Sequence, residues 1–103
     1  MDINLNAIPE KRKKIATPGM KGMDYLSQCK LREELGKEDA HFAEYVLKPA
    51  TDEMWNLIDG KRSVQVIVDY AMLEFDLKIR MESWLPVFAG WQKTGLIVTR
   101  SNS

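Results

Sequence analysis

The feature that most constrains this chain is an Asp-Gly pair, Asp59-Gly60, which separates two helical patterns within residues 51–98. Glycine tolerates the left-handed backbone conformation that a helix end needs, so we expect a helix to stop here and Gly60 to have a positive φ. The same stretch holds most of the large apolar residues, including all three tryptophans. It therefore predicts a helical core built around a sharp turn.

A helix is predicted on each side of this turn. The first begins at Thr51, a good N-cap, and has two acidic residues in its first turn, where the backbone N–H groups are unpaired. The second begins at Ser63, another good N-cap. From Val64 to Phe75 its apolar residues recur at i, i+3, i+4, i+7, i+8 and i+11. This spacing predicts a helix with one buried face.

A third helix and a strand follow. Ser83 can cap this helix, and Pro86 then lies in the first turn, where its missing N–H costs nothing. If the helix instead starts near Ile79, Pro86 should kink it. Gly95 is expected to end the helix, and residues 96–99 predict a short strand.

Six apolar residues are predicted to form the core, because each lies on the inner face of its element. They are Leu57, Ile67, Val68, Met72, Phe88 and Ile97. A chain this small has difficulty burying three tryptophans completely. Trp84, Phe88 and Trp91 are therefore interpreted either as core or as a partly exposed binding surface.

The first half of the chain has weaker patterns. Residues 24–32 alternate loosely and predict a strand, residues 33–40 predict a polar connection, and residues 41–47 predict a second strand that Pro49 ends. The two strands would pair as a hairpin with a long loop. Residues 15–17 are a further candidate strand.

Residues 1–23 are predicted to be a flexible basic tail, and residues 24–103 the folded domain. Prolines and glycines interrupt the tail, and residues 11–14 are a basic cluster. The cluster is interpreted as a solvated terminus, or as an electrostatic contact for an acidic peptide or partner. On either interpretation, removing residues 1–14 should leave the domain folded.

Composition narrows the classes of protein to consider. The chain has 103 residues and a formal net charge of zero, which favours one domain and argues against a dedicated nucleic-acid binder. No apolar run approaches the roughly 18 residues of a membrane span, and no signal-peptide pattern begins the chain. A single cysteine fits a reducing cytoplasm.

No metal site or catalytic constellation is predicted. Cys29 and His41 are the soft-metal ligands of the chain, and one of each does not make a zinc site. Cys29 is interpreted as a small buried hydrophobe and His41 as a partly solvated residue at the start of a strand. The acidic residues that are adjacent in the sequence point their side chains in different directions on a helix or strand, so they do not face each other as an acid–base pair. We therefore expect neither enzymatic activity nor a cofactor.

The order and spacing of these features resemble the PqqD-like family, small domains that recognise ribosomally made precursor peptides. The resemblance covers the C-terminal half of the chain. It is carried by Trp55, Leu57, Asp59, Gly60, Arg62, Ser63, Val64, Ile67, Phe88, Trp91, Gly95, Leu96 and Ile97. With the patterns above, it predicts an α+β, winged-helix-like fold in which three helices pack on a small antiparallel β-sheet.

The resemblance also implies a function and a site. In the family, a leader peptide adds as a strand to the sheet and lies in a groove against the third helix. The residues implied to bind peptide are Phe42, Ala43, Glu44, Tyr45, Val46, Trp84, Val87, Phe88 and Trp91. The chain would be a peptide chaperone that presents the leader to a modifying enzyme, such as a radical-SAM maturase.

Two other functions remain open on the sequence. A winged-helix DNA-binding or regulatory protein should carry several Lys or Arg on its recognition helix, whereas the third helix here has Lys93 near its end. A structural subunit that caps a larger complex through an apolar patch is the other alternative.

Overall fold

The structure, a computed structural model, describes residues 3–12, 23 and 25–100, and their side chains except those of residues 38–48. Within these residues the chain forms a two-stranded antiparallel sheet, three α-helices and one short 3₁₀ helix. The elements are β1 (Ile8–Lys11), α1 (Tyr25–Asn56), α2 (Val64–Glu74), the 3₁₀ helix (Met81–Trp84), α3 (Leu85–Lys93) and β2 (Ile97–Arg100). The predicted α+β class is confirmed, while the winged-helix-like arrangement stays a prediction.

The largest difference from the sequence-based prediction is α1, a single helix of 32 residues. The strands predicted at residues 24–32 and 41–47, and the connection between them, are wrong, because residues 25–47 are helical throughout. The segment is rich in Leu, Glu, Lys and Ala, which are good helix formers. Strand propensity depends strongly on packing against a sheet. The weak strand pattern of this segment is therefore overridden by its helix-forming residues.

The end of α1 also differs from the prediction. Pro49 lies inside the helix, where its missing N–H removes one i→i−4 hydrogen bond, but the chain remains helical to Asn56. Thr51 is fully buried within the same helix, so the N-cap predicted there is wrong. A Thr followed by acidic residues is typical of a helix start but is equally compatible with a helix interior.

The start of α2 confirms the sequence prediction. The Ser63 side-chain oxygen accepts a hydrogen bond from the backbone N–H of Val66 at 3.3 Å. The predicted inner face is buried, with Val64, Ile67, Val68 and Ala71 all inaccessible to solvent. A strong capping residue and a clear 3.6-residue period therefore coincide at this helix.

The turn between α1 and α2 is built on Asp59 and Gly60. The Asp59 carboxylate accepts hydrogen bonds from the backbone N–H groups of Arg62 and Lys61, both at 2.9 Å, and these bonds lower the pKa of Asp59. Gly60 has a φ of 77°, as predicted. A Cβ atom at Gly60 would lie 3.3 Å from the Glu10 side chain, so β1 packs closely against this turn.

Residues 3–12 are part of the fold, and the tail predicted at residues 1–23 is wrong for them. Ile3 and Ala7 are buried, and β1 pairs with β2. A short extended segment interrupted by proline has no periodicity that a sequence pattern can detect. Residues 13–22, with the candidate strand at residues 15–17, lie outside the described part of the chain.

This N-terminal segment also completes the start of α2. The carbonyl groups of Leu5 and Ala7 accept hydrogen bonds from the backbone N–H groups of Gln65 and Val64, each at 2.9 Å. These N–H groups belong to the first turn of α2, where no helical partner exists. The segment before β1 is therefore hydrogen-bonded to α2, while β1 itself pairs with β2.

The core lies where α1, α2, the 3₁₀ helix and α3 meet. Of the predicted core residues, Ile67, Val68, Phe88 and Ile97 are buried, and Leu57 and Met72 are half-buried against them. All three tryptophans are fully buried. The Trp91 ring lies edge-on to Trp55 at 5.2 Å and to Phe88 at 5.4 Å between centroids. We call Trp55, Phe88 and Trp91 the aromatic cluster.

The ends of α3 are partly as predicted. Pro86 lies in its first turn, as the capping pattern required, but Ser83 belongs to the preceding 3₁₀ helix and does not cap α3. Gly95 ends the helix with a φ of 80°. The N–H of Leu96 donates to the carbonyl of Trp91 at 3.0 Å, the bond expected of a left-handed glycine terminus.

The end of α2 has the same geometry without a glycine. Asp76 has a φ of 52°, and the N–H of Leu77 donates to the carbonyl of Met72 at 2.7 Å. Because glycine adopts this conformation without side-chain strain, we expect Asp76→Gly to raise the free energy of unfolding by roughly 0.5–1 kcal/mol. Urea denaturation measures this, with Asp76→Val as a destabilised control. An Asp76→Gly midpoint at or below that of the parent would contradict the left-handed assignment.

Candidate functional site

The peptide groove predicted from the sequence is not formed. Residues 41–47 lie inside α1, and a helix bonds its backbone N–H and C=O groups internally, so this segment has no edge to which a strand can add. The edge strand predicted there is therefore wrong. The predicted edge residues were Phe42, Ala43, Glu44, Tyr45 and Val46. Their side chains lie outside the described part of the structure.

The helix wall of the predicted groove lies in the core. Trp84, Val87, Phe88 and Trp91 are all fully buried. They pack between α3, the 3₁₀ helix and α1, so a peptide on the surface of this structure does not contact them. Of the two interpretations that the sequence left open for the aromatic residues, the structure has them as core.

The sheet has two outer edges, and the hydrogen-bond pattern indicates what each exposes. Bonded and non-bonded residue pairs alternate along an antiparallel ladder. The N–H of Arg12 donates to the carbonyl of Leu96 at 2.9 Å, and this pair continues the register in which Ile8 faces Arg100. Since bonded and non-bonded pairs alternate from this pair along the ladder, the backbone N–H and C=O groups of four residues point away from the partner strand. They are Pro9 and Lys11 on β1, and Ile97 and Thr99 on β2.

The outer edge of β1 is a poor site for a further strand. Pro9 has no N–H to donate, and proline on an edge strand is a recognised obstacle to further pairing. Just before β1, the carbonyls of Leu5 and Ala7 are already bonded to the start of α2. Much of this edge is therefore occupied or unable to donate.

The outer edge of β2 is more open. Among the described residues, no other backbone group outside the ladder bonds to the backbone of Ile97 or Thr99. The Thr99 hydroxyl donates to the Gln92 side-chain oxygen at 2.9 Å and so ties β2 to α3. The Val98 side chain is 42% exposed beside this edge. Ile97 is 1% exposed, so its outward backbone groups are covered, whereas Thr99 is half-buried. Thr99 therefore presents the accessible backbone donor and acceptor on this edge, on a strand that α3 holds in place.

A pocket of about 600 Å³ lies between the start of α1 and the 3₁₀ helix and α3. Its lining is Ile3, Ser27, Lys30, Glu34, Arg80, Glu82, Ser83, Leu85, Pro86 and Ala89. Glu34 accepts a hydrogen bond from Lys37 and pairs with Arg80, both at 3.1 Å. These contacts, chiefly the Lys37 bond, lower the pKa of Glu34. A carboxylate held in its charged form by two cations is a weak proton acceptor, which argues against Glu34 as a general base.

Cys29 is exposed on α1, so the prediction that it is a buried hydrophobe is wrong. A strand with alternating faces would have buried it, whereas the helix turns it to solvent. His41 lies in the same helix, and its side chain is outside the described residues. In the described part of the chain, no group of three or more His, Cys, Asp or Glu side chains could hold a metal ion.

None of the helices in the described ranges is long and apolar enough to cross a membrane. α3 carries one basic residue, Lys93, in its last turn, and buries Val87, Phe88 and Trp91. A recognition helix that contacts DNA needs several exposed polar or basic side chains. α3 lacks this character.

Comparison of the chain with protein-family models, with characterised proteins and with solved structures finds no match. The resemblance to the PqqD-like family therefore depends on the sequence motif itself. The motif residues have structural roles here: Asp59 and Gly60 form the turn, Ser63 caps α2, and Gly95 ends α3.

Proposed function

We propose that this chain is a non-catalytic peptide-recognition module that takes an extended segment as an extra strand along the outer edge of β2. The outward backbone N–H and C=O groups of Thr99, which is half-buried, carry this proposal. Thr99 offers one donor and one acceptor, which is what strand addition uses for affinity. The blunted edge of β1, with Pro9, directs the peptide to β2 rather than to the other side of the sheet.

The sequence motif supports the class of peptide. By resemblance to the PqqD-like family, the ligand is the leader of a ribosomally made precursor peptide, and the partner is a radical-SAM or other modifying enzyme. Each backbone hydrogen bond contributes about 0.5–1.5 kcal/mol net, so an edge of this length gives modest affinity. Weak binding suits a protein that presents a peptide and then releases it.

Replacing Thr99 by proline tests the edge directly. The Thr99 N–H points outward, so Thr99→Pro leaves the ladder bonded and should weaken peptide binding roughly three- to tenfold, the value of one lost hydrogen bond. Thr99→Val is the matched control, because both changes remove the hydroxyl bond to Gln92. Affinity is measured by NMR titration of the labelled protein with synthetic candidate leader peptides, taken from short reading frames near the gene.

The titration also locates the bound peptide. Strand addition should shift the amide signals of Val98 and Thr99 together. Two N-methylated peptides test the pairing, one methylated at its odd-numbered residues and the other at its even-numbered residues. Only one of them should lose binding, because alternate residues of a strand direct their N–H groups to opposite edges. Equal affinities of the Thr99→Pro and Thr99→Val proteins, or shifts that leave β2 silent, would reject the proposal.

The class of ligand can be tested independently of the edge. A short peptide gene beside a radical-SAM gene is the expected genomic neighbourhood. A gel-shift experiment at low and high salt should detect no DNA complex, since net charge is zero and α3 has one basic residue. Tight, salt-dependent DNA binding would favour the winged-helix regulatory alternative instead.

A further inference from the structure

We propose that the outer face of α2 is a docking surface for a short amphipathic helix whose apolar residues are flanked by Lys or Arg. The surface consists of Val66, Tyr70 and Leu73, which we call the α2 stripe. Their side chains are 39%, 55% and 81% exposed. The inference is independent of strand addition, because it concerns a different element and requires no contact with β2.

The α2 stripe is a continuous feature of the helix. Its residues are spaced i, i+4 and i+7, which places them on one face. The opposite face holds Val64, Ile67, Val68 and Ala71, which are buried in the core. A surface helix is normally polar on the side away from the core, and a contiguous exposed apolar patch rimmed by polar residues is a candidate interaction site. α2 is therefore apolar on both sides, although only one side is needed for folding.

Carboxylates flank the stripe on both sides. With about 100° between successive helical residues, Asp69 lies about 40° from Leu73 on one side, and Glu74 lies about 40° from Tyr70 on the other. Both acidic side chains are exposed, and α2 contains no basic residue. Neither carboxylate forms an ion pair within the described part of the chain. The stripe thus lies between two unpaired negative charges.

The charges favour one kind of occupant. Two copies of α2 packed together would bring carboxylates against carboxylates, which opposes self-association. A helix that carries Lys or Arg beside its apolar residues would place cations next to Asp69 and Glu74. α2 has 11 residues, about 16 Å of helix, which matches two or three turns of a partner.

Two designed helical peptides test the charge preference. One has a leucine face flanked by lysines, and the other has glutamate in place of every lysine. With the full chain at low salt, we expect the lysine peptide to shift the α2 amide signals and to bind at least about tenfold more tightly than the glutamate peptide. Added salt should weaken the lysine complex.

Exposed-residue variants test the location. Leu73→Ser and Tyr70→Ser should each weaken lysine-peptide binding by about tenfold, as central contacts of an interface do. Leu26→Ser, at a side chain 75% exposed on α1, is the matched control and should bind as the parent does. Replacing Asp69 and Glu74 together by lysine should transfer the preference to the glutamate peptide. Thermal melts confirm that each variant is folded.

Three outcomes would overturn the proposal. Equal affinity for the two peptides would mean nonspecific hydrophobic adsorption. Unchanged binding of the Leu73→Ser protein would place the peptide elsewhere. A dimer seen by sedimentation that Leu73→Ser dissociates would assign the stripe to self-association.

Discussion

Deleting residues 1–12 is expected to lower the free energy of unfolding by about 4 kcal/mol or more, a large part of the stability of an ordinary domain. The deletion exposes the surface that Ile3 covers, worth roughly 1.5–3 kcal/mol, and removes the carbonyls of Leu5 and Ala7 that cap α2, worth roughly 0.5–2 kcal/mol. It also leaves β2 without its partner strand. Urea denaturation followed by circular dichroism measures the loss.

A charge-removing variant separates backbone from electrostatic effects. Lys11→Ala with Arg12→Ala keeps the β1 backbone and removes two cations, one of which lies 5.1 Å above the Trp55 ring. A cation–π contact is worth about 0.5–1 kcal/mol at an exposed site and about 2 kcal/mol when desolvated, so this variant should lose less stability than the deletion. Cooperative unfolding of the truncated protein at the same urea concentration as the parent would show that the segment is dispensable.

Replacing Trp91 by alanine is expected to cost about 3–5 kcal/mol of stability, the usual value for a large aromatic residue removed from a core. Trp91 is fully buried and contacts both other rings of the aromatic cluster edge-on. The cavity cannot collapse easily, because Trp55 and Phe88 are themselves held by α1 and α3. Urea denaturation measures the loss. A lower midpoint with an unchanged m-value would show that the substitution changes stability and not the extent of unfolding.

Two controls make the Trp91 result specific. Trp91→Phe keeps an aromatic ring in the cluster and should lose markedly less stability than Trp91→Ala. Tyr70→Ala, at a side chain 55% exposed, should change stability little, because a surface aromatic leaves no cavity. A Trp91→Ala loss below about 1 kcal/mol would mean that Trp91 is at the surface, as a peptide-binding role would require.

α2, the end of α3 and β2 could be predicted from the sequence because several local signals agreed there, whereas the 3₁₀ helix before α3 was missed. At α2, the capping serine Ser63 and a long 3.6-residue period pointed to the same helix. At α3, the end at Gly95 was marked by the one residue type that adopts a positive φ freely. Burial follows from periodicity in such helices, so much of the core was also predicted.

The elements before Gly60 could not be predicted, because their local signals were misleading. Residues 41–47 contain aromatic and β-branched residues that resemble a strand, and Pro49 and Thr51 resemble boundaries. All of them lie within α1, whose Leu-, Glu-, Lys- and Ala-rich sequence favours a helix. Pro9 after Ile8 was a usable sign of an edge strand, but a four-residue strand has too little pattern to be recognised alone.

The candidate site was harder to predict than the fold. The sequence identified the aromatic residues of α3 but could not decide whether Trp91 faces the core or solvent. Which backbone groups of Ile97 and Thr99 point outward depends on their register with β1, and that pairing joins distant parts of the chain. The helical spacing of Val66, Tyr70 and Leu73 can be read from the sequence. That these three side chains are exposed could not be predicted, because it depends on the opposite face of α2 being the buried one.

The pairing of β1 with β2 has a consequence for biosynthesis. β1 leaves the ribosome before every helix, whereas β2 follows all of them. Bringing such distant segments together closes a long loop, which slows folding and makes it depend on the whole intervening chain. A nascent chain that has not yet exposed residue 97 therefore holds β1 without its partner strand.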